Sequence, residues 1–321
     1  MRYNFDQLLS RANKIALAVS GGPDSIAMMH MISTWSKTLQ KEIIILTVNH
    51  NLRSEAKEEC NFVKQFSHEL GLKHILLEWV HDGVTSNVHD RAREARYELM
   101  TNWCKDNNAD ILCTAHHMDD RVENFFIRVS KAAGILGLID RQKIIYNNVE
   151  VIRPFFEYSK ENLLEYLEKH HLKYYVDKSN QDPKYLRTNI RKWLELLPKE
   201  IDSELFKQRV IGVKNNLLRT ASVIERIFEE ELKIKAKIYE DHATLSTLPQ
   251  DKEIAYMVLS HLITLIGGAK AARLDSIVLL HNNLSSVTPT KSTLGGCVIE
   301  VKNSEILFSK EVGRKKSNSN P

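Results

Sequence analysis

Residues 20–25 read Ser20-Gly21-Gly22-Pro23-Asp24-Ser25, between an apolar run, Ile15–Val19, and a helical pattern, Ile26–Met31. Two glycines let the backbone turn sharply and approach a ligand closely. Pro23 suits the first position of a helix, where its missing N–H costs nothing. Ser20 and Ser25 add hydroxyl donors. Exposed N–H groups at a helix start form an anion site, so the string predicts a phosphate loop. It is not a Walker A loop, because the chain has no G-x-x-x-x-G-K. A second cluster, Thr114-Ala115-His116-His117-Met118-Asp119-Asp120-Arg121-Val122-Glu123-Asn124, follows another apolar run. Asp120 and Glu123 stand three apart and Asp119 and Glu123 four apart, so all three share the first turns of one helix. Acids there are favoured by the helix dipole alone. Three of them beside two histidines and a phosphate loop go further, pointing to Mg²⁺ coordination and a cationic substrate. A zinc site from Cys113, His116 and His117 is disfavoured, since adjacent histidines rarely share one tetrahedral ion.

These residues need a scaffold, and the hydrophobic pattern predicts one. The runs Lys14–Val19, Ile43–Val48, His74–Val80 and Asp110–Thr114 are short, branched and bounded by turn residues, as buried strands are. Between them, Val88, Ala92, Ala95, Leu99 and Trp103 recur at helical spacing, as do Met118, Val122, Phe125, Phe126 and Val129. Alternation of this kind implies βαβ crossovers and a parallel sheet covered on both faces, with ligands beyond the carboxyl ends of the strands. The expected fold class is α/β: a doubly wound parallel-sheet domain over 1–200, a helical connector over 201–238, and a small α+β domain over 239–312. In more detail, Ile144–Tyr146 and Val149–Ile152 form a hairpin, Ser159 caps a helix to about His170, and Asp177–Asn189 is a polar stretch. One long helix covers Asp202–Lys237, others lie near Lys252–Leu265 and Leu274–Leu280, and Cys297–Val301 and Ile306–Ser309 form a last hairpin. Residues 313–321 form a basic tail expected to be disordered.

Composition narrows the function classes. The 321 residues carry a formal net charge of +4, with 43% hydrophobic and 27% charged residues, which describes a globular chain that permits a nucleic-acid partner without demanding one. Cys60, Cys104, Cys113 and Cys297 include no C-x-x-C pair, which argues for a reducing cytoplasm and against a disulfide framework. No apolar run approaches membrane-spanning length, and no signal-peptide core is visible.

Ser20–Ser25 resembles the pyrophosphate loop of the N-type ATP pyrophosphatases, and further segments resemble the tRNA(Ile)-lysidine synthetases among them. Val48-Asn49-His50-Asn51-Leu52-Arg53 lies where that family has adenosine-side residues, and Asp90–Tyr97 is similar to its A-R-x-x-R-Y helix. The 114–124 string is similar to A-H-H-x-D-D-Q-x-E-T, and Ile152-Arg153-Pro154 to its I-R-P. Asp177–Asn180 and Arg187–Arg191 match D-x-S-N and R-N-x-I-R, and Leu245–Glu311 is similar to its first C-terminal domain. Departures are Arg121 for Gln, Asn124 for Thr, Thr188 for Asn, and a softened Lys131–Leu138.

The resemblance implies an ATP-dependent ligase with Mg²⁺. It converts the wobble cytidine of a CAU-anticodon tRNA(Ile) to lysidine, using free L-lysine. It implies ATP contacts from Ser20, Gly21, Gly22, Pro23, Asp24, Ser25, Asn49, His50 and Arg93, and metal organisation by Asp24 and Asp119. Asp120 and Glu123 would bind lysine, one of them as a candidate base, while His116 and Arg96 would stabilise charge on the phosphate or the activated base. The segment 177–192 would contact RNA phosphates, and the small C-terminal domain would bind tRNA. The oligomeric state stays open, a homodimer included. Two other classes stay in view: a tRNA thiolase, which needs the paired thiolates that Cys60, Cys104 and Cys113 do not form, and a non-catalytic nucleotide-binding RNA module.

Overall fold

The computed structural model describes residues 4–37, 39–51, 56–81, 88–175, 186–196, 202–268, 272–286 and 288–311. Leu52, Arg53, the stretch 177–185 and the tail 313–321 lie outside them. The chain divides into two compact units, Met1–Leu218 and Arg219–Pro321.

The first unit runs α1 (Phe5–Leu9), β1 (Lys14–Ala18), α2 (Pro23–Ser36), β2 (Glu42–Asn49), α3 (Ala56–Glu69), β3 (Lys73–Glu78), α4 (Val88–Asp106) and β4 (Ile111–Thr114). It continues with α5 (Met118–Val129), α6 (Ile135–Leu138), β5 (Lys143–Tyr146), β6 (Val149–Ile152), α7 (Lys160–Lys169), α8 (Leu186–Glu195) and the first half of α9 (Ser203–Lys235). Its sheet has the order β3-β2-β1-β4-β6-β5, parallel except for the β5–β6 hairpin at one edge.

Strand β1 is central and apolar on both faces. Ile15, Leu17 and Val19 pack with Ile26, Met29 and Ile32 of α2, Val63 of α3 and Leu163 of α7. Ala16 and Ala18, pointing the other way, pack with Tyr97, Met100 and Cys104 of α4. This alternation is the period of two expected of a strand buried between helical layers. The first crossover places β2 on one side of β1, and the chain later returns to place β4 on the other. The order therefore reverses between β1 and β4, and their carboxyl ends open onto the crevice where ligands bind in such sheets. The loops at these two ends are the ones that carry Ser20–Ser25 and His116–Asp120.

Helix α5 is anchored by Arg121, one of the residues that depart from the family pattern. Its buried guanidinium donates to Asp140 Oδ1 (3.3 Å), Glu157 Oε1 (2.8 Å), the Phe156 carbonyl (3.1 Å) and Asn215 Oδ1 (3.2 Å), and lies 3.7 Å from the Phe156 ring centroid. Lys214 of α9 reaches the same Asp140 at 3.0 Å. The change from a neutral side chain to a buried cation is thus matched by acids on neighbouring segments.

The second unit contains the rest of α9, β7 (Ala236–Ile238), β8 (His242–Leu245), α10 (Lys252–Gly267), α11 (Leu274–Leu284), β9 (Ser292–Leu294), β10 (Cys297–Lys302) and β11 (Glu305–Lys310). These strands form an antiparallel sheet, β7-β8-β11-β10-β9, packed on α10 through Val258, Leu262, Ile299 and Phe308. Gly267 sits so close to the Gly295 carbonyl that a Cβ there would lie 2.1 Å from its oxygen. The expected long helix ends at Lys235. Residues 236–238 pair with β8 as a strand, so Lys237 is not helical.

All four tryptophans (Trp35, Trp79, Trp103 and Trp193) lie in the first unit, so their fluorescence reports its unfolding alone. Arg121→Ala strands buried partners and should cost that unit about 3 kcal/mol in urea unfolding. A loss under roughly 0.5 kcal/mol, the size of an ordinary surface change, would show that the clamp does not hold α5.

Candidate active site

At the end of β1 the chain turns at Gly21, whose φ of +87° lies in the left-handed region. A Cβ there would stand 3.4 Å from Val63 Cγ2, so both the conformation and the packing favour glycine. Gly22 is extended and caps α2, with Pro23 in the first turn. The Ser25 hydroxyl donates to the Gly22 carbonyl (2.9 Å) and accepts from the Ser20 N–H (3.2 Å). Ser25 therefore latches the loop from inside, whereas Ser20 is exposed at its rim. Asp24 follows in the first turn of α2, and its buried Oδ1 has no hydrogen-bond partner.

The loop after β4 brings His117 to the other side of this acid. The imidazole is buried, with Nε2 3.5 Å from Asp24 Oδ2 and 3.6 Å from Asp120 Oδ2, and Nδ1 3.6 Å from Asp119 Oδ2. Burial alone would lower its pKa, but the charge of Asp120 and the nearness of Asp119 and Asp24 outweigh that and push it up to about 10. His117 is thus an imidazolium at neutral pH. Its neighbour His116 shifts the opposite way. Burial, reinforced by the charges of Arg96, Arg93 and Arg153, overrides Asp120 and holds His116 well below the usual histidine range. His116 stays neutral, with Nδ1 2.9 Å from Thr114 Oγ1.

The acids of α5 differ in what they have left to offer. Asp119 accepts from Lys207 Nζ of α9 (2.6 Å) and from the Lys160 N–H at the start of α7 (2.7 Å). Burial would raise its pKa, but His117, Lys207 and Lys160 together hold it below the usual carboxylate range. Glu123 is buried and taken by α8: Arg191 grips it with two bonds of 2.7 and 3.1 Å, and Arg187 Nε lies at 3.3 Å. Asn124 accepts from Arg187 Nη2 (2.8 Å), so this departure from the family pattern also has a partner. Asp120 accepts from the His117 N–H (3.2 Å). Burial raises its pKa, but the charges of His117 and Arg187 prevail and keep it ionised.

Asp24, Asp119 and Asp120 thus converge on His117. Arg93 and Arg96 lie on α4 with guanidinium carbons 5.3 and 5.9 Å from the Tyr97 ring, within electrostatic reach of His116. Asn49 and His50 stand apart, at the end of β2. Asn49 is buried and accepts from the Asn51 N–H (3.0 Å), and His50 sits edge-on to Trp79, 6.0 Å between centroids. His117 enters the sequence reading only as the second histidine of its cluster, with no role of its own, and Lys207 and Trp79 do not enter it at all. His117 is at least adjacent to a predicted residue, but Lys207 lies 88 positions from its partner, with no local signal.

The chemistry of the donor set decides what it can hold. Among the described residues no group of three or more His, Cys, Asp or Glu side chains is arranged to bind a metal. Cys113 is buried in the core, its thiol pushed upward by burial, so the zinc reading has no support. The orphaned Oδ1 of Asp24, beside the phosphate loop, fits a cation whose other ligands come from phosphate and water, as Mg²⁺ usually takes. Asp119 does not fit that role, because Lys207 and Lys160 occupy its oxygens.

Residues 1–200 match the family model described as the PP-loop domain. The chain is 35% identical over 314 residues to the tRNA(Ile)-lysidine synthase of Orientia tsutsugamushi (strain Boryong), covering 94% of this chain and 70% of that one. It is 36% identical over 328 residues to the enzyme of that name from Rickettsia prowazekii (strain Madrid E), covering 98% and 74%. In fold it is similar to the U34-tRNA thiolase NcsA from Methanococcus maripaludis, with a TM-score of 0.55 and 18% identity over 64% of this chain and 72% of that chain.

In the metal-free protein, ¹⁵N NMR should find the His117 ring doubly protonated at pH 8. Its folded pKa of about 10 lies above the ordinary histidine value of 6.5. The stability it contributes is therefore complete below about pH 6.5 and lost as pH rises through about 10. A His117 ring that titrates near pH 6.5 would contradict the assignment.

Proposed function

Because the chain belongs to the tRNA(Ile)-lysidine synthase family of PP-loop proteins, and is in that sense an ATP-dependent tRNA-modifying ligase, we propose how its residues carry out the reaction. The substrates are ATP, free L-lysine and a tRNA(Ile) whose anticodon is CAU. The C2 oxygen of the wobble cytidine attacks the α-phosphorus of ATP, and pyrophosphate leaves. The lysine ε-nitrogen then attacks C2, and AMP departs with the former C2 oxygen. Adenylation comes first because a carbonyl oxygen is a poor leaving group and AMP a good one.

The observation that carries this reading is the convergence of Asp24, with its unpartnered oxygen, and Asp120 on one imidazolium beside the glycine turn. The N–H groups of the Gly21–Ser25 turn would cradle the β- and γ-phosphates, and His117, fixed as a cation, would balance charge on departing pyrophosphate. Mg²⁺, when bound at Asp24, would screen the phosphate charge. Arg93, Arg96 and neutral His116 would face the α-phosphate and the activated base, and Asn49 and His50 the adenosine.

Lysine recognition falls to Asp120. Glu123 shares the predicted role, but its carboxylate is already neutralised by Arg187 and Arg191. Its part is to draw α8, and with it the family's R-x-x-x-R spacing, against the site. Deprotonating the lysine ε-ammonium at pH 7 costs about 4.6 kcal/mol from an ordinary pKa of about 10.4. A carboxylate held ionised by an adjacent imidazolium binds an ammonium well and takes its proton poorly. Asp120 is therefore assigned to orient the nucleophile and not to deprotonate it, and the ammonium proton passes to solvent water.

Thiolase chemistry finds no support in the cysteines. All four are buried and free, and the thiols of Cys104 and Cys297 are pushed up to about 12 and about 11 by burial, unfit to carry sulfur as thiolates.

The test is incorporation of labelled lysine into a C34-containing tRNA(Ile) with ATP present. Wild type should incorporate lysine, and Asp120→Asn should lower the rate about 100-fold or more, mainly through KM for lysine. No incorporation by folded wild type would overturn the substrate assignment, and a thiolated product would put the thiolase reading in its place. An Asp120→Asn enzyme with unchanged KM for lysine would remove Asp120 from recognition.

A further inference from the structure

Five acids lie at or near the start of α5, and most of them are met by cations or N–H donors. Glu123 is held by Arg191 and Arg187, and Asp140 by Arg121 and Lys214. Asp120 faces the His117 ring and accepts its backbone N–H. Asp119 is bound by Lys207 at 2.6 Å and by the Lys160 N–H at 2.7 Å. Asp24 Oδ1 and Asp140 Oδ2 are both buried without a hydrogen bond, but Asp140 Oδ2 has the Lys214 ammonium at 3.0 Å, whereas no cation among the described residues is paired with Asp24 Oδ1.

Asp24 and Asp119 flank one imidazole, the first 3.5 Å from Nε2 and the second 3.6 Å from Nδ1. Two carboxylates that flank one ring beside a phosphate site could each offer oxygens to a divalent ion whose other ligands are phosphate and water. Here one of the two is filled by a side chain. Lys207 projects from the second turn of α9, its side chain 24% exposed, onto an Asp119 side chain that is 17% exposed. An ammonium at this distance cancels most of the carboxylate's field, and the covalent stem keeps it from being lost to solvent.

We propose that Lys207 is a positioning residue that serves as a resident cation at Asp119. It prevents that acid from recruiting a second divalent ion, so the site takes up a single one, at Asp24, together with the nucleotide. The proposal rests on the ATP and metal reading above, but not on the identity of the RNA or the amine. It has an electrostatic signature that a packing role lacks. Removing Lys207 makes the cluster one charge more negative, so divalent cations should bind more tightly and free pyrophosphate more weakly. Loss of packing would weaken both.

The experiment uses the full chain with Lys207→Met and Lys207→Arg. Mn²⁺ binding is followed by electron paramagnetic resonance with saturating α,β-methylene-ATP, and metal-free inorganic pyrophosphate binding by calorimetry. Wild type should bind one Mn²⁺ per chain. Lys207→Met should bind a second, or the first about tenfold more tightly, and should bind pyrophosphate about tenfold more weakly. Lys207→Arg, which keeps the charge, should resemble wild type in both. Two Mn²⁺ per wild-type chain, unchanged binding in Lys207→Met, or a loss of both ligands together would overturn the proposal. Wild type that binds the nucleotide with no Mn²⁺ at all would overturn the metal reading of Asp24 along with it.

Discussion

A buried imidazolium needs anions, and His117 has three: Asp24, Asp119 and Asp120, all within 3.6 Å. They arrive by two routes. Asp24 comes from the helix after β1, Asp119 and Asp120 from the helix after β4, and the two strands are neighbours only because the sheet reverses its order between them. A charge at this junction therefore joins the phosphate loop to the acids of α5. Either half alone would be unfavourable, since unpaired charge is costly to bury.

The cations that surround this cluster have the same logic. Lys207 and Lys214 come from α9, Arg187 and Arg191 from α8, and each ends on an acid of α5 or of the loop that follows α6. Asp119, Glu123 and Asp140 are neutralised by side chains from neighbouring helices, and Asp120 and Asp24 are the two acids we propose face substrate. On that proposal most of the acids hold the helices together and two are left for chemistry. The same accounting explains Arg121 and Asn124, whose departures from the family pattern are met by Asp140, Glu157 and Arg187.

Much of this was legible in the chain because it is local. The strand, glycine turn and helix of residues 14–36 are contiguous, and so are β4 and the acids that begin α5. The doubly wound sheet follows from alternation of short apolar runs with helical spacing. What the sequence hides is set by distant partners. Ile234 and Ile238 stand four apart, which mimics a helical face, yet β8 captures residues 236–238 as a strand. The basic residues of 186–196 suggest a solvated or RNA-facing segment, whereas Arg187 and Arg191 turn inward once Glu123 is in place. The three acids of α5 look equivalent on paper, and only the arrival of Lys207 and Arg191 distinguishes them. His117 differs from His116 for a similar reason: the chain places one among carboxylates and the other among guanidinium groups.

The central claim is that a nucleotide's phosphates lie in the Ser20–Ser25 turn, facing the acids that His117 gathers. A crystal structure with α,β-methylene-ATP and Mg²⁺ tests it most directly. The account predicts phosphate oxygens on the N–H groups of residues 21–25, the metal on Asp24 Oδ1, and Asp119 still bound to Lys207. Phosphates seated elsewhere, or a metal on Asp119 with Lys207 displaced, would contradict it.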